Sequence, residues 1–333
     1  MQAWGIQAYG GPEKLELLEV AEPVCGPDDL LIAVQAASLN PLDWKLREGM
    51  LRRIRPTRFP LLLGNDLSGV IEQVGSQVEG FSVGDEVFAR VPKSSTGTLA
   101  EKIAVHYAAV AHKPGNLSHE QAASIPLAGL TAWQCLHDVG KLQAGQKVLI
   151  QAGAGGVGSL AIQLAHLAGA EVATTASAAK HELVSSLGAD HPIDYRNQAF
   201  EQLLEGYDLV LDTLGGESLI RSFDILKPGG TVVSIAGPLD PYTAEQLQLN
   251  GLLRRAIRIM SWSVRRRARQ KQCHYRYVFM WPDGKQLAHL GELLQTGKLQ
   301  PLVDKIYPFA QTKEAFAYAE TGHASGKVII ALA

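Results

Sequence analysis

Sulfur is scarce in this chain, whose 333 residues include three cysteines, Cys25, Cys135 and Cys273. They are odd in number, far apart and outside any C-x-x-C pair, which excludes a disulfide-stapled scaffold and a cysteine zinc cluster. The simplest setting for such thiols is reducing and intracellular, and a cytoplasmic protein is expected. Net charge is scarce too, at −2 from 31 basic and 33 acidic residues, so no overall field selects nucleic acid or an acidic membrane. No run of 18 apolar residues exists, which excludes a membrane-spanning helix. No basic-then-apolar signal opens the chain at Met1-Gln2-Ala3-Trp4-Gly5. The ten histidines form no spaced pair for a metal or a nucleophile. Ser124 and Ser159 lie in no G-x-S-x-G elbow, which removes a hydrolase reading. Repeats and low-complexity stretches are absent. What remains is an ordinary globular composition, 46% hydrophobic and 19% charged, at a length that favours about two domains.

The stretch Gln146–Gly158, QKVLIQAGAGGVG, organises the rest. Lys147-Val148-Leu149-Ile150 is a short apolar run suited to a strand buried on both faces. Gly153, Gly155 and Gly158 follow in G-x-G-x-x-G spacing, with an extra glycine at Gly156, and then the helical pattern Leu160, Ala161, Leu164, Ala165, Leu167. Glycines allow a tight turn and close backbone approach, and a helix N-terminus offers unpaired N–H groups to a pyrophosphate. Strand, glycine turn and helix together read as a dinucleotide site.

Upstream, residues 1 to about 120 read as short strands separated by Pro/Gly/Asp clusters such as Cys25-Gly26-Pro27-Asp28-Asp29 and Val83-Gly84-Asp85, a compact β-rich domain of barrel type. Asn40-Pro41-Leu42-Asp43-Trp44-Lys45 lies between strands, followed by a basic patch at Arg52, Arg53, Arg55 and Arg58. From about residue 120 the period changes. Ser118 and Gln121 form a capping pair, and strands then alternate with helices through Thr231–Ile235, arguing for a parallel, doubly wound sheet. Residues 246–282 carry nine Arg or Lys and no acid. A nucleic-acid or anionic-lipid patch is one reading. A solvated helix face bordering a phosphate-binding cleft is the other, favoured because no further nucleic-acid signature accompanies the charge. Tyr275–Met280 reads as a strand, Asp283–Gln295 as a helix and Lys327–Leu332 as a final strand.

One absence decides the cofactor. A fold that takes NADH carries an acid about 20 residues past the first glycine, at the end of the second strand, for the ribose 2′-OH. Here Glu171–Ala176 is followed by Ser177-Ala178-Ala179-Lys180-His181. A hydroxyl at Ser177 and a cation at Lys180 accept the 2′-phosphate that a carboxylate repels, and Tyr195 beside Arg196 adds a second hydroxyl. NADPH is therefore expected.

The two-domain pattern, with Leu63-Gly64-Asn65-Asp66-Leu67-Ser68-Gly69, Val83-Gly84-Asp85-Glu86-Val87, Ala128-Gly129-Leu130-Thr131-Ala132, Ala154-Gly155-Gly156-Val157-Gly158 and Asp212-Thr213-Leu214-Gly215-Gly216, resembles the medium-chain dehydrogenase/reductase superfamily. Asn40-Pro41-Leu42-Asp43-Trp44-Lys45 and Gly322-His323-Ala324-Ser325-Gly326-Lys327 look like its quinone-oxidoreductase and alkenal/enone-reductase branch. The resemblance implies an α/β fold: a Rossmann doubly wound parallel sheet over residues 125–299, and a β-rich GroES-like substrate domain from 1–124 with 300–333. Members with a catalytic zinc hold Cys and a His-Glu pair where this chain has Ser38-Leu39-Asn40 and Asn65-Asp66. Without the ligands that zinc requires, a metal-free enzyme is expected.

The resemblance also distributes roles. The pyrophosphate lies over Gly155, Gly156 and Val157, the 2′-phosphate at Ser177, Lys180 and Tyr195, and the ribose and nicotinamide against Leu214, Gly215, Ala236, Gly237 and Pro238, with Thr131 and Lys327 completing the cofactor set. Substrate meets Asn40, Asp43, Trp44 and Asp66. Asn40, Lys45 or a cofactor hydroxyl donates to the developing oxyanion. Asp43 is equally suited to holding its loop through backbone hydrogen bonds, and Asp66 to a structural ion pair. The expected activity is hydride transfer from NADPH to a quinone or the C=C of an α,β-unsaturated carbonyl, by a homodimer that pairs subunits near Tyr275–Met280. The alternatives are a zinc-free carbonyl or alcohol oxidoreductase, and a non-enzymatic NADPH-binding regulator.

Overall fold

Apolar alternation and β-branched runs give the first 112 residues eight strands. In the computed structural model, which describes residues 1–52, 57–92 and 97–332, they are β1 (Gln2–Ile6), β2 (Glu16–Glu19), β3 (Asp29–Ser38), β4 (Leu61–Leu62), β5 (Asp66–Val74), β6 (Glu86–Arg90), β7 (Lys102–His106) and β8 (Val110–His112). Arg53 and Arg55 of the basic patch lie outside the described residues. The next six are β9 (Lys147–Ile150), β10 (Glu171–Ala176), β11 (His191–Asp194), β12 (Tyr207–Asp212), β13 (Leu226–Ser234) and β14 (His274–Tyr277), and the chain closes with β15 (Val303–Pro308) and β16 (Lys327–Ala331).

Two compact units result, residues 1–130 with 281–333, and residues 131–280. In the first, β3 is the hub. One edge pairs with β5, and the other is shared between β7 near Asp29–Ala33 and β16 near Ala36–Ser38. The sheet runs β15-β16-β3-β5-β6-β8, with β2-β1-β4 beside it as a separate three-stranded sheet. Leu30, Ile32, Val34, Leu67, Ile71, Val87, Ile103 and Val105 form one buried cluster, as alternation on these strands requires. The second unit is a six-stranded parallel sheet in the order β11-β10-β9-β12-β13-β14. Its chain order reverses between β9 and β12, the switch point at which such sheets bind ligands.

Two differences from the sequence reading have local causes. The chain returns to the first unit at 281 rather than 300, because the helix Gly284–Gln295 belongs there. A Cβ on Gly284 would meet the carbonyls of Ala108 and Val110 at 2.7 Å, and Asn116 Nδ2 donates to the Leu294 carbonyl at 3.1 Å. Asn40–Lys45 is not a loop but the start of a helix, Pro41–Arg47, with Pro at its first position and Asp43 Oδ2 accepting from Asn40 N–H at 2.7 Å. The basic segment folds into helices Gly251–Met260 and Trp262–Gln270, which agrees with the helical reading favoured for it.

Candidate active site

Strand register gathers a polar cluster inside the first unit. Ser38 of β3 stands opposite Asp66, the first residue of β5. Ile329 of β16 also stands opposite Ser38, so the antiparallel ladder carries Lys327 to the level of Asn40. Asp66 accepts from Ser38 Oγ at 2.7 Å, Asn40 Nδ2 at 2.9 Å and the Leu127 N–H at 2.7 Å. The Lys327 ammonium sits between Asn40 Oδ1 and Asp66, 3.4 Å from the latter. Asp43 accepts from the N–H of Asn40, the N–H of Gly64 at 3.0 Å and Asn65 Nδ2 at 2.7 Å, tying two loops together. All six side chains are buried. Burial pushes the Asp43 carboxyl up to about 6 against the pull of its donors, and pushes the Lys327 ammonium down against the pull of Asp66 and Asp43.

This geometry reassigns two of the expected catalytic residues. Both amide hydrogens of Asn40 are directed at protein acceptors, Asp66 and the Ser38 carbonyl, so Asn40 has none left for a substrate oxyanion. Asp43 is spent on loop bonds. Lys45 is half-buried in the last turn of its helix, and its ammonium takes no part in the network.

In the second unit, β9 runs into the glycine turn and the helix Gly156–Leu167, capped at Gly155 by no side chain. The N–H groups of Gly156, Val157 and Gly158 therefore have no intrahelical acceptor and are free for phosphate oxygens. Two positions of the turn admit no side chain: a Cβ on Gly153 would lie 2.1 Å from Thr174 Oγ1, and one on Gly158 2.3 Å from the Ala152 carbonyl. β10 and β11 pair with Ala176 opposite Asp194, which brings the Ser177–Lys180 turn beside Tyr195. Asp194 was not foreseen. Its carboxylate takes the Ala178 and Arg196 N–H groups and Asn197 Nδ2, and these bonds outweigh desolvation to hold it below the usual carboxylate range. Arg196, exposed, stacks 5.8 Å over the Tyr195 ring and adds a second cation to Lys180.

Asp212 and Ser234 set the remaining loops and were also missed. Asp212 accepts from the N–H groups of Leu214 and Gly215 and from Ser234 Oγ, which in turn accepts from the Ala236 and Gly237 N–H groups. Gly215 is left-handed at φ +70°, a conformation that favours glycine. Tyr275 OH donates to the Pro238 carbonyl at 2.6 Å. The available signal was an acid at a strand end before Thr-x-Gly-Gly. Thr131 is buried in the helix Pro126–Trp133 where the chain passes from one unit to the other.

Comparison with known proteins places this arrangement. The family model of the alcohol dehydrogenase GroES-like domain matches residues 26–115, and that of zinc-binding dehydrogenase matches residues 187–330. The chain is 37% identical to the mitochondrial NAD(P)H oxidoreductase RTN4IP1 of Danio rerio, over 100% of this chain and 91% of that protein. The chain belongs to the medium-chain dehydrogenase/reductase superfamily. Within it, the chain is 37% identical to the chloroplastic NADPH-dependent alkenal/one oxidoreductase of Arabidopsis thaliana, over 99% of this chain and 79% of that one. The solved quinone oxidoreductase of Coxiella burnetii superposes with a TM-score of 0.87 at 33% identity, covering 100% of this chain and 99% of that one.

The superfamily's zinc can be tested against these residues. Asn40, Asn65 and Asp66 stand at the ligand positions, and an ammonium already occupies the space between Asn40 and Asp66. Among the described residues no three His, Cys, Asp or Glu side chains gather where a metal ion could be held. The residues do not fit a catalytic zinc. They do fit a dinucleotide, on the uncapped helix start and the glycine turn below it.

Proposed function

We propose that the protein reduces an α,β-unsaturated carbonyl or a quinone with NADPH, without a metal. The observation that carries the reading is the uncapped Gly155–Gly158 helix start at the switch point of a parallel sheet, with Ser177, Lys180 and Tyr195 in place of an acid at the next strand end. The kinship with proteins named alkenal/one and quinone oxidoreductases supports the substrate class.

When bound, the nicotinamide supplies a hydride. The chain supplies placement. The Gly156, Val157 and Gly158 N–H groups would hold the pyrophosphate, Lys180 with Arg196 and the Ser177 and Tyr195 hydroxyls would hold the 2′-phosphate, and the loops fixed by Asp212 and Ser234 would border the ribose and nicotinamide. As hydride reaches the electron-poor β-carbon of an enone, charge moves to the carbonyl oxygen. Lys45, whose ammonium is outside the buried network, is the protein donor for that oxygen, and water delivers the proton to the α-carbon. Lys327 holds Asn40 and Asp66, and thereby the floor of the substrate loop, in place. Rate then comes from proximity and orientation more than from a strong acid.

We further propose a homodimer through β14, which ends the six-stranded sheet. Tyr277 N and O are already bonded to Asp240 and Thr243, so pairing would use the His274–Arg276 part. Unpaired cysteines and the lack, among the described residues, of a helix long and apolar enough to cross a membrane support the cytoplasm as its location. The deciding assay follows NADPH absorbance with an enone, a quinone and an aldehyde, with and without chelator. Oxidation with the enone or quinone, indifferent to chelator, is expected. Silence with both, or activity lost to chelator, overturns the proposal.

A further inference from the structure

Helices Gly251–Met260 and Trp262–Gln270 attach to the second unit by narrow faces. Ile257 is buried in the first, and Val264 and Ala268 in the second. The residues turned outward include large apolar side chains as well as arginines. Leu252 is 81% exposed, Ile259 70%, Met260 69% and Trp262 53%. Leu252 and Ile259 are seven residues apart and share a helix face, with Met260 and Trp262 continuing from its end. Four large apolar groups in one short segment are more than scattered surface residues.

The same segment concentrates positive charge. Arg254 reaches Glu245 at 3.8 Å, and Arg267 and Lys271 reach Asp224 at 2.6 and 2.7 Å. Among the described residues, Arg255, Arg258, Arg265, Arg266 and Arg269 meet no carboxylate within salt-bridge distance. They crowd one another instead. Arg265 bonds the carbonyl of Arg258 at 3.0 Å, Arg269 bonds that of Arg265, and Arg266 lies 5.2 Å over the Trp262 ring. Burial and the charges of Arg269 and Arg258 together push the Arg265 guanidinium below its usual value, against Asp240. A cluster of cations that repel one another gains most from an anionic surface that supplies several charges together.

We propose that these two helices form a binding surface for an anionic lipid bilayer. A phosphate backbone would take the arginines and leave Leu252, Ile259 and Met260 in water. A second copy docked about a two-fold axis would set arginines against arginines. A bilayer accommodates both features, with headgroup phosphates at the arginines and the apolar side chains entering the headgroup–acyl boundary, where Trp is favoured. The surface lies wholly in residues 251–270 and uses none of the residues assigned above to cofactor or substrate. It places an enzyme for apolar acceptors beside the phase that dissolves them.

The test is flotation of the whole protein with vesicles of phosphatidylglycerol and phosphatidylcholine in equal parts, against vesicles of phosphatidylcholine alone. Binding to the anionic vesicles at low salt is expected, with loss at roughly 0.5 M salt. Replacing Arg258→Gln together with Arg266→Gln lowers partitioning about 25-fold, from about fivefold per arginine. Ile259→Ser, an exposed position that leaves the core untouched, lowers it roughly tenfold. Vesicles shift the tryptophan emission to the blue, and Trp262→Phe removes that shift. Failure to float with anionic vesicles overturns the proposal, as does flotation unchanged in both variants. Variants that alter sedimentation of the free protein but not flotation assign the surface to a second copy and overturn it. So does duplex DNA bound as tightly as vesicles and insensitive to Ile259→Ser.

Discussion

The proposed preference for NADPH rests on a single missing carboxylate. Lys180→Ala should raise KM for NADPH about tenfold, the worth of one charge-assisted hydrogen bond, and leave KM for NADH within about twofold. Steady-state kinetics with both cofactors checks this, and equal effects would remove Lys180 from the phosphate site. Asp43 gives a second prediction, through pH. Its carboxyl rises in the folded chain from an ordinary 3.8 to about 6 because it is buried. A raised acid keeps its proton in the folded state while the unfolded chain releases it, so stability falls as pH rises from about 4 to 6 and is level above. Asp43→Asn should flatten that fall in urea midpoints measured from pH 4 to 7. It should also cost about 1–3 kcal/mol at neutral pH, since an amide cannot accept from all three N–H groups. At this scale the sequence was legible in position, since the Ser177–Lys180 turn does follow β10 and lies beside Tyr195. It was not legible where the partner is set by strand register. Asn40 reads as a free donor until Lys327, 287 positions away, is seen to occupy its oxygen, and Asp66 and the Ser38 carbonyl its amide hydrogens.

Elements were legible in proportion to their periodicity. β9, the helix Gly156–Leu167 and β10 stand where the apolar pattern puts them, because a strand buried on both faces and an amphipathic helix announce themselves locally. The helix Pro41–Arg47 was read as a connecting segment because its seven residues are too few to show a helical period. Its Asn-Pro-x-Asp start was the better signal. The glycine turn supplies the prediction at this scale. Gly158→Ala brings a Cβ to 2.3 Å from the Ala152 carbonyl and 2.8 Å from Gly153 Cα, both backbone atoms with little room to move. The turn must open, at a cost of about 1–3 kcal/mol in stability. Cofactor affinity should fall with it, measured by NADPH fluorescence titration and urea unfolding. Gly206→Ala, in open space although left-handed at φ +72°, should lose stability through backbone strain and keep cofactor affinity.

Across the whole molecule, the parallel sheet and the β-rich unit follow from the change of pattern near residue 120. The point of return at residue 281 does not, because Asp283–Gln295 is amphipathic and its sequence does not say which core it covers. The assembly of the first unit has a further consequence. β3, its hub, is made near the start of the chain, yet the strand that closes its edge at Ala36–Ser38 is β16, which ends at Ala331. During synthesis at about 5–20 residues per second, the 131–280 unit emerges with all six of its strands before that edge can be covered. The first-made part of the protein is the last to be finished. Until Lys327 has left the ribosome, Asn40 and Asp66 wait in a half-built sheet without their lysine, and a nascent chain stalled at residue 320 should be cut by protease in its first third while residues 131–280 resist.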